Sequence, residues 1–121
     1  MLEFGINVYN KHIEYVRCVV MTHYEQIEKL KRQIIEDYAP DQIFLFGSCA
    51  KGVVRKGSDI DLCVIKEVEH PREFGRELQL KLDSDIPVDI VVYSPASWAK
   101  HSDDSTSFAY LIKHKGVQLY G

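Results

Sequence analysis

Basic charge is in short supply in this sequence, with 15 Lys and Arg against 18 Asp and Glu and a net charge of −3. A protein that grips nucleic acid mainly through its phosphates needs the opposite balance, so stable nucleic-acid binding is not expected. Cysteine is scarce as well. Cys18, Cys49 and Cys63 are odd in number and widely spaced, which argues against a disulfide framework and a paired-ligand zinc pattern and suits reduced thiols in a cytoplasmic protein. The five histidines, His12, His23, His70, His101 and His114, include no i,i+4 pair, so a zinc site is not expected from them either. No uncharged stretch approaches membrane-spanning length, and Met1 to Asn7 lack the basic start and apolar run of a signal peptide. Proline and glycine, four and seven of 121 residues, gather into no linker, and there is no repeat. One domain over residues 1–121 is expected, with 1–40 a helical extension and 41–121 the core.

The apolar residues that are present fall into regular patterns. Ile13, Val16, Val20, Tyr24, Ile27, Leu30, Ile34 and Tyr38 recur at three and four, which predicts an amphipathic helix from about Val8 to Tyr38, stopped by Pro40. Glu25 with Lys29 and Glu28 with Arg32 would pair along its outer face. Gln42–Phe46, Ile60–Ile65 and Val88–Tyr93 read as strands, the last two as nearly continuous apolar runs covered on both faces. Phe74, Leu78 and Leu82 mark a crossover helix with Pro71 near its start. Ser94-Pro95 opens a short helix, and Asp103, Asp104 and Ser105 offer caps for a last one ended by Gly116. Val117–Tyr120 completes the pattern as an edge strand. The fold class is α/β: a small mixed sheet with flanking helices.

The chemistry concentrates at the end of the first strand. Gly47-Ser48-Cys49-Ala50-Lys51-Gly52 forms a tight connection where backbone can approach an anion, and Ser48 adds a hydroxyl. Cys49 would be accessible if that turn holds phosphate, whereas Cys63 belongs to the core. Asp59 and Asp61, at i and i+2, present two carboxylates on one face while Ile60 and Leu62 turn inward. Such a pair suits a hard divalent cation, Mg²⁺ before zinc. Asp89, flanked by Val88 and Ile90, needs a partner to offset its burial, and a metal would serve. Three converging acids repel unless cations lie between them, and two cations would serve an in-line displacement at phosphorus. Asp59 and Asp61 would hold one cation, and Asp89 would complete a second site and orient, or deprotonate, the incoming hydroxyl. Tyr93 could stack on a base, although packing is the commoner use of such a ring.

Gly47-Ser48, ten residues, Asp59-Ile60-Asp61 and a later strand-borne Asp89 resemble the signature of the DNA polymerase β-type nucleotidyltransferases, and the small size resembles their minimal (MNT) members. The resemblance covers roughly Gln42 to Tyr120. It implies a polymerase β palm-like core preceded by a long N-terminal helix, ATP as donor, two Mg²⁺ ions, attack of a hydroxyl on the α-phosphate and release of pyrophosphate. It also implies a HEPN-domain ribonuclease toxin as partner, with this chain its antitoxin, transferring AMP to a toxin tyrosine. Lys51, Arg55 and Lys56 are the candidate holders of the β- and γ-phosphates.

Two other readings fit the same residues. A small-molecule transferase resembling the aminoglycoside-modifying enzymes would need a second domain or a dimer partner to wall in its substrate. A non-catalytic antitoxin would act by occlusion and tolerate loss of Asp59 and Asp61.

Overall fold

The computed structural model describes residues 22–121. Helix α1 (His23–Tyr38) starts at a capping box: Thr22 is extended (ψ 163°), its hydroxyl accepts from Glu25 N–H, and the Glu25 carboxylate accepts from Thr22 N–H at 3.0 Å. A capped, extended Thr22 means that no continuous helix runs from Val8 to Tyr38, and Val8 to Met21 lie outside the described residues. Ala39 ends α1 in the left-handed region (φ 48°) just before Pro40. Ile27, Leu30 and Ile34 are buried as their spacing requires, whereas Tyr24 of the same stripe is half-exposed. On the outer face Lys31 meets Glu28, in place of the expected Arg32, and Lys29 reaches across to Asp83 at 2.9 Å.

After α1 come β1 (Gln42–Phe46), the four-residue helix α2 (Gly47–Ala50), β2 (Ile60–Ile65), α3 (Pro71–Lys81), β3 (Val88–Tyr93), α4 (Pro95–His101), α5 (Phe108–Lys115) and β4 (Val117–Tyr120). The sheet order is β3-β2-β1-β4, with β2 and β3 parallel and β1 antiparallel to both β2 and β4. The α3 crossover between parallel strands is as expected, and the mixed sheet with flanking helices matches the α/β class. Ile43, Leu45, Ile60, Leu62 and Val64 pack under α1 and α3. Phe44, Cys63 and Ile65 pack on the opposite face under Trp98 of α4 and Ala109 and Ile112 of α5.

β3 differs from the expected fully covered strand. It lies at the sheet edge, and its side chains are only partly buried or exposed. Gln79 of α3 reaches that edge, its amide donating to Val88 C=O at 3.1 Å and accepting from Ile90 N–H at 3.4 Å. α3 can lie so close because residue 75 is glycine: a Cβ there would stand 3.3 Å from Val92 Cγ2. α4 is capped by Ser94 as expected, with Pro95 in its first turn, but α5 is capped by Ser107, whose hydroxyl accepts from Tyr110 N–H. Asp104 instead closes the preceding turn by accepting from both the N–H and the hydroxyl of Thr106, so the expected caps at Asp103, Asp104 and Ser105 lie too early.

Candidate active site

The register of the sheet assembles the acids. Asp61, second residue of β2, pairs with Asp89, second residue of β3, and on its other side with Phe46, last residue of β1. Alternation puts Asp61 on the side of Cys63 and Ile65, so the carboxylates stand at the end of the face covered by α4 and α5. Ile60 and Leu62 point the other way and are fully buried, as the i,i+2 spacing requires. Asp59 lies just before β2 and is exposed. The loop before it is tied to α1 by a 2.8 Å hydrogen bond between His23 Nε2 and Ser58 C=O.

Asp61 holds its proton above the ordinary carboxylate range. Burial contributes most, followed by the Asp89 charge, the Asp59 charge and a hydrogen bond with the Asp89 carboxyl. Asp89 and Asp59 therefore both act on Asp61, and two carboxyls in hydrogen-bond contact must share a proton or have a cation placed between them. Among the described residues no three His, Cys, Asp or Glu side chains close into a preformed metal cage. Carboxylate oxygens are the donors that suit Mg²⁺, which is usually held by one or two carboxylates with substrate phosphates completing its shell. Asp61 and Asp89, with Asp59 beside them, would hold it.

Gly47 turns the chain from β1 into α2 at φ 75°, and a Cβ at this position would collide with Asp61 Oδ2. Glycine is thus required twice, for its backbone and for the space the carboxylate occupies. Ser48 is half-buried next to it, and its carbonyl accepts from Val53 N–H at 3.1 Å. Cys49 is buried at 2% exposure, contrary to the accessible thiol expected of the turn. Its Sγ donates to Asp59 C=O at 3.5 Å, and burial, then the Asp61 and Asp59 charges, push its pKa up. It packs into the core beneath the turn and is a poor nucleophile.

Among the candidate phosphate holders, Lys51 lines a cavity of about 220 Å³ together with Phe46, Gly47, Phe108, Leu111, Ile112 and Lys115. Arg55 and Lys56 stand exposed in the loop between α2 and β2, where the Arg55 N–H donates to Ser58 Oγ. Tyr93 lies at the far end of β3, roughly 13 Å along the strand from Asp89, and packs on Trp98 at 5.5 Å. A larger cavity of about 780 Å³ flanks α3 and the β3 edge from Ile90 to Tyr93, with Arg72 and Arg76 in its lining. The Phe46–Phe108 cavity has no counterpart in the sequence reading, because its walls come from β1 and α5, which no local spacing connects.

Residues 27–113 match the Nucleotidyltransferase domain family, and the chain belongs to that family. Among solved structures, one from Sulfolobus solfataricus, described as a candidate nucleotidyltransferase, is similar with a TM-score of 0.49 and 21% identity over 77% of this chain and 80% of that one. No curated protein matches the chain. Membership rests on the match over residues 27–113, and nucleotidyl transfer is the general activity it carries.

Proposed function

We propose that this chain is a Mg²⁺-dependent adenylyltransferase that moves AMP from ATP to a hydroxyl, a tyrosine of a HEPN-type toxin, and so acts as that toxin's cytoplasmic antitoxin. The carrying observation is the Asp61–Asp89 pair in register beside Gly47, with Asp59 acting on it. The family supports nucleotidyl transfer; the donor, the acceptor and the partner come from the likeness to minimal nucleotidyltransferases. No helix among the described residues is long and apolar enough to cross a membrane, which is compatible with that setting.

In this reading the acceptor oxygen bonds to the α-phosphorus of ATP, the bond from that phosphorus to the bridging oxygen of the β-phosphate breaks, and pyrophosphate leaves with its electron pair. Asp89, on the outer strand, takes the proton of the incoming hydroxyl. Asp59 and Asp61 would hold the cation at the donor end, and Asp89 would complete a second cation site. When bound, these ions supply charge neutralisation for the attacking and leaving oxygens. Lys51, Arg55 and Lys56 add positive charge to the loop that borders the donor.

The test incubates the protein and its Asp59→Asn/Asp61→Asn variant with α-labelled ATP, Mg²⁺ and an extract of the native host, and resolves the products on a denaturing gel. A labelled protein band made only by the intact acids is expected, and its mass identifies the acceptor. If Mg-ATP binds but no band forms, protein AMPylation is overturned in favour of a small-molecule acceptor or of occlusion.

A further inference from the structure

The cavity between β1 and α5 has no role in the chemistry so far, yet it opens beside Gly47 at the acid end of the sheet. Phe46 is the cross-strand partner of Asp61, and cross-strand partners point to the same face, so the ring and the carboxylate are neighbours. Phe108 meets Phe46 edge-on, with centroids 5.4 Å apart at 87°. Phe108 and Leu111 remain 48% and 51% exposed, an uncovered apolar patch next to a charged centre. Lys51 and Lys115 stand at its rim. Lys29, Lys31, Lys81 and Lys113 each face a carboxylate. Lys51 and Lys115 have no ion-pair partner among the described residues.

At about 220 Å³ the cavity is smaller than the roughly 300–1,000 Å³ that whole small-molecule ligands occupy. It suits one planar ring system whose remainder stays outside. Flat apolar walls, a cationic rim and neighbouring acids suited to a cation together select a ligand that joins an aromatic ring to several negative charges. The strand order adds a direction: Asp89 lies on one side of Asp61 and the cavity on the other. With Asp89 serving the acceptor hydroxyl, the cavity falls to the donor.

We infer that the Phe46–Phe108 cavity seats the nucleobase of the donor nucleotide, with Leu111 and Ile112 as its floor and Lys51 and Lys115 drawing in the phosphates. This rests on the nucleotide-transfer reading and adds to it the residues that hold the nucleoside. The lining carries no side-chain amide, hydroxyl or carboxyl, so the base is gripped by its faces and its edge is left unread.

Isothermal titration calorimetry with Mg-ATP and with Mg-tripolyphosphate tests this on the full chain. The wild type binds ATP more tightly than tripolyphosphate. Phe108→Ala weakens ATP by about 5- to 150-fold, the span of losing one base–aromatic stack, and leaves tripolyphosphate unchanged. Leu111→Ser, a neutral change at a half-exposed position, gives a second variant should Phe108→Ala misfold; it too loses ATP selectively. Unchanged ATP affinity in the folded variants, or a wild type that binds both ligands equally, overturns the base site and leaves nucleotidyl transfer standing. A wild type that binds neither ligand strikes at the transfer reading itself, and the base site falls with it.

Discussion

Gly47 and Gly52 share nearly the same left-handed backbone, φ 75° and 77°, yet only Gly47 would drive a Cβ into Asp61, while a Cβ at Gly52 meets nothing within 4 Å. The pair separates backbone strain from site geometry. Gly47→Ala and Gly52→Ala are each expected to lower unfolding free energy by roughly 1–2 kcal/mol for the left-handed conformation. Gly47→Ala should lose more, and it alone should lose the stabilisation conferred by Mg²⁺, because the Asp61 carboxylate must move. Urea titrations with and without Mg²⁺ read both effects, and equal behaviour of the two variants would detach Gly47 from the acid site. Position, more than residue type, likewise decides the cysteines: Cys63 is sealed in the sheet with burial pushing its thiol up to about 12, and Cys49 is buried beneath the turn.

At the scale of elements, much of the fold is legible in sequence because its signals are local. The apolar runs of β1 and β2, the period-four repeat of α3 and the Ser94-Pro95 start of α4 each depend on a few neighbouring residues. The start of α1 was hidden by its own apolar repeat, which continues past Thr22; a capping box outweighs periodicity at a helix end because it satisfies otherwise orphaned N–H groups. β3 reads as a buried strand because Val88, Ile90, Val91 and Val92 are apolar, but sheet order is a long-range property and places it at an edge. Thr22→Ala is expected to destabilise the chain by about 1 kcal/mol, the usual worth of such a cap. A thermal melt checks this, and an unchanged midpoint would mean that the box adds nothing to the stability of α1.

For the molecule as a whole, the acids of the candidate site were legible because the motif puts them at fixed spacings, whereas the Phe46–Phe108 cavity exists only once α5 folds over β1. The acid cluster carries a stability penalty when no cation is present, since Asp61 is partly buried against Asp89 and Asp59. Asp61→Asn is therefore expected to raise the melting temperature by about 2–5 °C in chelator. In Mg²⁺ the order reverses, because the wild type gains binding free energy, about 2.7 kcal/mol at a hundredfold excess over Kd, and the variant does not. Differential scanning fluorimetry in chelator and in Mg²⁺ makes the comparison. A variant that melts lower in chelator, or still responds to Mg²⁺, would remove the cation from this site.

Gln79 bears on how the protein behaves in a crowd of its own copies. An open parallel strand offers other chains a ladder of unpaired N–H and C=O groups, the usual starting point for sheet growth from one molecule into the next. Here a single carboxamide occupies the Val88 and Ile90 rungs, so a side chain stands where a foreign strand would begin to zip. The strand that carries Asp89 can thus stay uncovered for an incoming substrate without inviting aggregation along the same rungs.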